Sequence, residues 1–153
     1  MSYSSSISSS HFRNTLSFQA LPNVSGSFRY TGVGDKDVKF KSSSGYAYWD
    51  RSFDLRVLIN KENTVIPALT LGFQDFVGTG NYSSEYVVAS KSFFQNFQSS
   101  LGLGWGGMGK REAFKGFGTR AFSGGRNGGL LSFNQIFRGP IGIFGGLEYK
   151  PPV

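Results

Sequence analysis

Residues 52–76 read SFDLRVLINKENTVIPALTLGFQDF, two runs of alternating side chains separated by a turn-rich NKENTV at 60–65. Phe53, Leu55 and Val57, then Leu69, Leu71 and Phe73, fall on one face; Asp54, Arg56, Thr70, Gly72 and Gln74 fall on the other. A period of two is the signature of a β-strand, because successive side chains point to opposite faces of a sheet. The stretch therefore predicts an antiparallel hairpin with one apolar face and one face that keeps charges.

The same pattern extends outward in both directions. NTLSFQA at 14–20 pairs with VSGSFRYTG at 24–32, and SEYVVASK at 84–91 with FQSSLGLGWG at 97–106. LLSFNQIF at 130–137 is read with IGIFGGLEY at 141–149, although Phe144 interrupts its alternation. The prediction is all-β: an antiparallel up-and-down meander of about eight strands. Composition agrees, with 22 Gly, 16 Phe and 7 Tyr and only 16% charged residues, a vocabulary of strands and turns rather than helices. The length of 153 residues fits one domain. We divide it into a disordered Ser-rich tail at 1–13 and a sheet at 14–150.

Several chemistries are excluded by counting. The chain has no Cys, hence no disulfide framework or thiolate metal site, and its single His11 lies in the Ser-rich start. Without Cys there is no Cys/His centre, and a Ser/His/Asp centre would rest on His11 alone in the Ser-rich start; no enzyme activity or cofactor is expected. The glycines of FVGTGNYSS and GLGWGG precede no helical pattern. They read as turn and close-packing positions rather than a phosphate cradle. MSYSSSISSS lacks the basic and apolar regions of a signal peptide, and no run of apolar residues is long enough for a transmembrane helix.

Loop lengths narrow the fold class. Short links, 21–23, 60–65, 92–96 and 138–140, alternate with long ones at about 33–51, 75–83 and 107–128. Outer-membrane barrels sort turns and loops by end in this way. Tyr30, Phe53, Phe73, Tyr86, Trp105 and Tyr149 are assigned to the apolar face beside the long links, where an aromatic girdle meets the membrane interface. Phe93, Phe94, Phe97 and Phe137 are assigned to a second girdle at the short-turn end. Arg29, Asp54, Arg56, Glu85, Lys91 and Glu148 are assigned to the polar face as a lumen charge ladder. The sheet is thus read as a transmembrane β-barrel or part of a larger barrel wall. The second reading is a soluble or secreted β-sandwich that binds carbohydrate.

The blocks DRSFDLRVLI, PALTLGFQDFVGTGNYSSEYVVASK and SLGLGWG within 50–106, followed by FRGPIGIFGGLEYKPP at 137–152, resemble the YjbH-type exopolysaccharide biosynthesis family of bacterial outer-membrane β-barrels. The resemblance implies an outer-membrane location, a non-enzymatic part in making or exporting an extracellular polysaccharide, and other proteins of that machinery as partners. It carries no catalytic residues. Members of that family are longer and bear an export signal, so the chain is read as a fragment of a larger barrel. With the first strand at 14 and the eighth ending at 149, both sheet ends would lie on the long-loop side, which agrees with a fragment.

The charge of +7 is concentrated in loops. Lys110, Arg111, Lys115, Arg120 and Arg126 form a basic loop, and DKDVKFK at 35–41 adds three lysines. Such a rim would draw anionic polysaccharide or lipid phosphates by long-range attraction. Tyr46, Tyr48, Trp49 and Tyr82 are candidates for stacking on sugar rings. Basic residues interleave with Phe114, Phe117 and Phe122, as in single-strand binders, but no nucleic-acid module is present and no nucleic-acid partner is expected.

Overall fold

The computed structural model describes residues 1–8, 11–34, 48–78, 83–94, 96–120 and 135–151. Eight strands form one antiparallel sheet in sequence order. They are β1 Ser2–Ile7, β2 His11–Leu21, β3 Val24–Val33, β4 Tyr48–Asn60, β5 Ala68–Gln74, β6 Ser84–Phe93, β7 Phe97–Gly104 and β8 Gly142–Tyr149, with a 3-10 helix at Gly106–Arg111. The sheet is open. Among the described residues β1 pairs with β2 alone and β8 with β7 alone.

The all-β meander and its strand number agree with the sequence reading, but two strands differ from it. Ser2–Ile7 is a strand and not a tail, pairing along its whole length with β2 from Ser2↔Ser17 to Ile7↔Phe12. His11 lies within β2 opposite Val33. At the other edge, β8 pairs directly with β7, from Gly104↔Gly142 to Phe97↔Tyr149. No strand from 130–137 lies between them: Gln135–Phe137 form a helical turn, and 130–134 fall outside the described residues. The link before β4 also ends sooner than predicted, since Tyr48–Arg51 belong to the strand.

These changes move the ends of the sheet. Residues 22–23, 61–67 and 94–96 join strands at one end; 34–47, 75–83 and 105–141 join them at the other, together with 8–10. The sorting of short and long links therefore persists from β2 to β8, and the short link 8–10 before β2 departs from it. With β1 added at the front, β1 begins and β8 finishes at the short-turn end, opposite to the side predicted.

Cross-strand register fixes the faces. Phe28↔Phe53, Leu55↔Phe73 and Val57↔Leu71 share one face, and Ser27↔Asp54 and Arg56↔Gly72 the other. Continued through Leu71↔Val87↔Leu103↔Ile143, the first face is apolar across the width of the sheet. It is barest in β7 and β8, where Leu101 is 63% exposed, Ile143 50% and Leu147 71%, whereas Phe53, Leu55, Val57, Leu69, Leu71 and Phe73 are half-buried. Among the described residues Tyr86 is the one buried hydrophobic side chain, whereas Thr31, Asp50, Ser52, Asp75, Ser84, Glu85 and Gln135 are buried and polar.

Aromatic rings laid over cross-strand glycines fill part of the polar face. A Cβ at Gly72 would lie 2.0 Å from Cζ of Tyr86, and one at Gly102 would lie 2.5 Å from Cζ of Phe144. Each ring sits on its direct register partner, and the two rings meet edge-on with centroids 6.3 Å apart. Phe144, which breaks the alternation of its strand, is thus the cover of Gly102. Gly72→Ala would force the buried Tyr86 ring aside, and we expect a loss of about 1–3 kcal/mol of folding stability, the range for overpacking. Denaturant titration of the refolded chain reads it. Gly146→Ala, where a Cβ meets nothing within 4 Å, is the control. Equal shifts at both would mean that backbone freedom, not the ring, sets the requirement.

Candidate functional site

Asp54 organises the polar face. It forms an ion pair with Arg29, accepts a 3.2 Å hydrogen bond from the Ser27 hydroxyl and a 3.0 Å bond from the Asp75 backbone N–H. Both side chains of the pair are less than a fifth exposed (18% and 15%). Strand register explains the grouping, because Ser27 lies opposite Asp54 and Arg29 opposite Ser52. Asp75 contributes its N–H because its positive φ of 49° turns the chain at the end of β5.

Rows of hydroxyls continue from this pair to the edge. Ser2, Ser17, Ser27 and Asp54 stand in one row, and Ser4, Thr15, Arg29 and Ser52 in the next. A third row holds Ser25 and Arg56, and a fourth Ser6, Arg13, Thr31 and Asp50. An open groove of about 320 Å³ lies here, bounded by Ser2, Ser17, Ser25, Ser27, Asp54 and Arg56. Sequence reasoning missed the contribution of β1, although Ser2, Ser4 and Ser6 alternate with Tyr3, Ser5 and Ile7. A strand whose inward face is all serine has the composition of a tail.

The predicted charge ladder divides between the two faces. Arg29, Asp54 and Arg56 share the polar face, and Glu148 joins them opposite Gln98, exposed and 3.8 Å from Lys150. Glu85 and Lys91 stand on the apolar face, opposite Phe73 and Ser99 respectively. The run Tyr86-Val87-Val88-Ala89 has no alternation to fix its phase, and burial of the Tyr86 ring over Gly72 decides it. Tyr86 therefore leaves the apolar girdle.

Lys91 sits at the short-turn end of β6 and reaches the 61–67 turn. Its ammonium donates to the carbonyls of Asn63 and Thr64 and lies 3.7 Å from Glu62. Glu62 accepts from the Ser92 N–H at 2.8 Å and the Ser92 hydroxyl at 2.9 Å. These bonds, and then the charge of Lys91, hold the Glu62 carboxyl below its ordinary pKa.

Glu85 is 3% exposed and takes the Arg120 guanidinium as a two-pronged partner at 2.7 and 3.0 Å. The Phe137 N–H donates to the same carboxylate at 3.1 Å. Arg120 also donates to the Gln135 carbonyl at 2.8 Å and the Ser83 hydroxyl at 2.7 Å. The β7–β8 link is thereby clasped to the sheet, with Phe137 edge-on to Trp105 at 4.8 Å and in contact with Phe73 at 6.0 Å. Of the predicted basic loop, Lys110, Arg111 and Lys115 are exposed, Arg120 is turned inward, and Arg126 lies outside the described residues.

The girdles are similarly revised. Tyr30, Phe53, Phe73 and Trp105 gather at the long-link end, with Tyr30 stacked on Trp49 at 4.7 Å. Tyr149 is at the short-turn end, 4.8 Å from Phe97, and Phe137 is at the long-link end. The two exchange places because β8 runs beside β7 in the direction predicted for 130–137. Tyr46, Tyr82 and Phe122 and the side chain of Tyr48 lie outside the described residues.

No helix among the described residues is long and apolar enough to cross a membrane, which does not bear on strands. None of their His, Asp and Glu side chains cluster as a metal site. No solved structure matches the chain. An Escherichia coli (strain K12) protein named "Uncharacterized lipoprotein YjbH" is 32% identical over 148 residues, covering 89% of this chain and 21% of that protein. The chain thus spans about a fifth of the length of that curated relative. The family described as "Exopolysaccharide biosynthesis protein YbjH" matches residues 1–153. With the match running through the whole two-faced sheet, the chain belongs to the YjbH family of exopolysaccharide biosynthesis proteins.

Proposed function

We propose that the sheet is part of the wall of an outer-membrane β-barrel that serves exopolysaccharide biosynthesis or export without catalysing a reaction. Lipid lies against the apolar face outside the part that the β7–β8 link covers at Glu85 and Phe73, and polymer passes along or rests on the polar face. The observation that carries this reading is the inverted burial: polar groups are covered while Leu101, Ile143 and Leu147 are bare. A β-sandwich in water would need a second layer over those side chains. Lipid supplies that cover at no cost, and the serine-rich face then lines a polar lumen. The lipoprotein name of the Escherichia coli relative supports a place in the cell envelope, among other proteins of the polysaccharide machinery.

The absence of Cys makes the test direct, since each introduced cysteine is a unique attachment point for an environment-sensitive fluorophore. In the chain refolded into vesicles, labels at Leu101, Ile143 and Leu147 should be quenched by brominated lipid. Labels at Ser27, Gln98 and Ser100 should instead be quenched by iodide. Equal access of iodide to both sets would end the barrel-wall reading.

A further inference from the structure

We propose that the groove beside Arg56 is a subsite for a carboxylate-bearing sugar unit. This rests on the reading of the polar face as the polymer-facing one and names the kind of polymer. Arg29 and Asp54 neutralise one another, whereas Arg56 has no ion-pair or hydrogen-bond partner among the described residues. Among the side chains that line the groove, Arg56 is therefore the one uncompensated cation.

Its surroundings suit a sugar acid. Arg56 is exposed and stands in register between Ser25 and Gly72. On one side of Arg56 the space over Gly72 is filled by the buried Tyr86 ring, and on the other lie the serine hydroxyls of the groove. Ser2, Ser17, Ser25 and Ser27 line the groove, and each hydroxyl can donate or accept toward a sugar hydroxyl. The planar guanidinium fork matches both oxygens of a carboxylate. A neutral glucan would leave that cation unmatched, and a polycation would be repelled.

Binding of fluorescent oligogalacturonate, a chain of carboxylate-bearing sugars, to the micelle-refolded protein tests this against a maltooligosaccharide of equal length. We expect the acidic oligomer to bind more tightly. Arg56→Gln should weaken it about tenfold or more, as expected for loss of a charge-assisted pair, and Arg56→Lys should weaken it less. Lys91→Gln, on the opposite face, should leave binding unchanged. Equal losses in Arg56→Gln and Lys91→Gln would reduce the effect to net charge and overturn the subsite. So would equal binding of the two oligomers, or no binding by a chain whose labels show the lipid and iodide alternation. A chain without that alternation refutes the wall reading, and the subsite with it.

Discussion

Replacing Glu85 by alanine is expected to free the β7–β8 link from the sheet. The substitution removes a carboxylate that is 3% exposed and leaves Arg120, whose side chain is 16% exposed, without its counter-ion. Removing one partner of a buried pair costs about 3–5 kcal/mol, because the remaining charge has neither solvent nor counter-ion. The Phe137 N–H loses its acceptor at the same time. Trypsin reports the change: cleavage after Arg120 should be slow in the native chain and fast in Glu85→Ala, while far-ultraviolet circular dichroism keeps its β signal. Glu85→Ala combined with Arg120→Ala should be less damaging to the sheet than Glu85→Ala alone, since no unpaired charge remains. Unchanged cleavage in Glu85→Ala would show that the pair does not hold the link.

Leu101→Lys should impair insertion by about 2–4 kcal/mol, the cost of a lysine facing hydrocarbon near the middle of a barrel strand. Leu101 is central in β7, 63% exposed, and flanked in register by Ala89 and Gly145. Ser100→Lys, one residue away on the face shared with Ser90 and Gly146, should cost no more than about 0.5–1.5 kcal/mol, the worth of its 2.8 Å hydrogen bond to Ser90. The comparison is made by denaturant titration in vesicles. Similar costs at both positions would mean that the two faces meet the same medium, which the lipid assignment does not permit.

How much was legible depended on whether a strand alternated cleanly. β4 and β5 did, and their face assignment held from Phe53 to Gln74. In β6 four consecutive apolar residues left the phase open, and the assignment of Tyr86, Glu85 and Lys91 went to the wrong faces. β1 was hidden because serine against a polar face yields no hydrophobic signal. β8 was legible as a strand, but its neighbour was not: pairing of residues 97–104 with 142–149 depends on a long connection folding aside. The clasp joins residues 35 positions apart, and no local pattern announces a bidentate pair across that separation. Arg29 and Asp54 were placed on one face by alternation alone, yet the donation from Asp75 follows from a backbone bend that side-chain periodicity does not encode.

Among the described residues the open sheet has two edges, and each presents a row of peptide groups without a strand to receive them. In hydrocarbon every dangling N–H or C=O costs several kcal/mol, since no water replaces the missing partner. The edge strands β1 and β8 run in opposite directions, so they can meet each other, or their counterparts in another chain, without breaking the antiparallel order. Membrane insertion and edge pairing then become a single event. The smallest particle that a bilayer accepts is the smallest one with no peptide group left over, whether one chain rolled shut, several joined side by side, or this sheet continued by further strands.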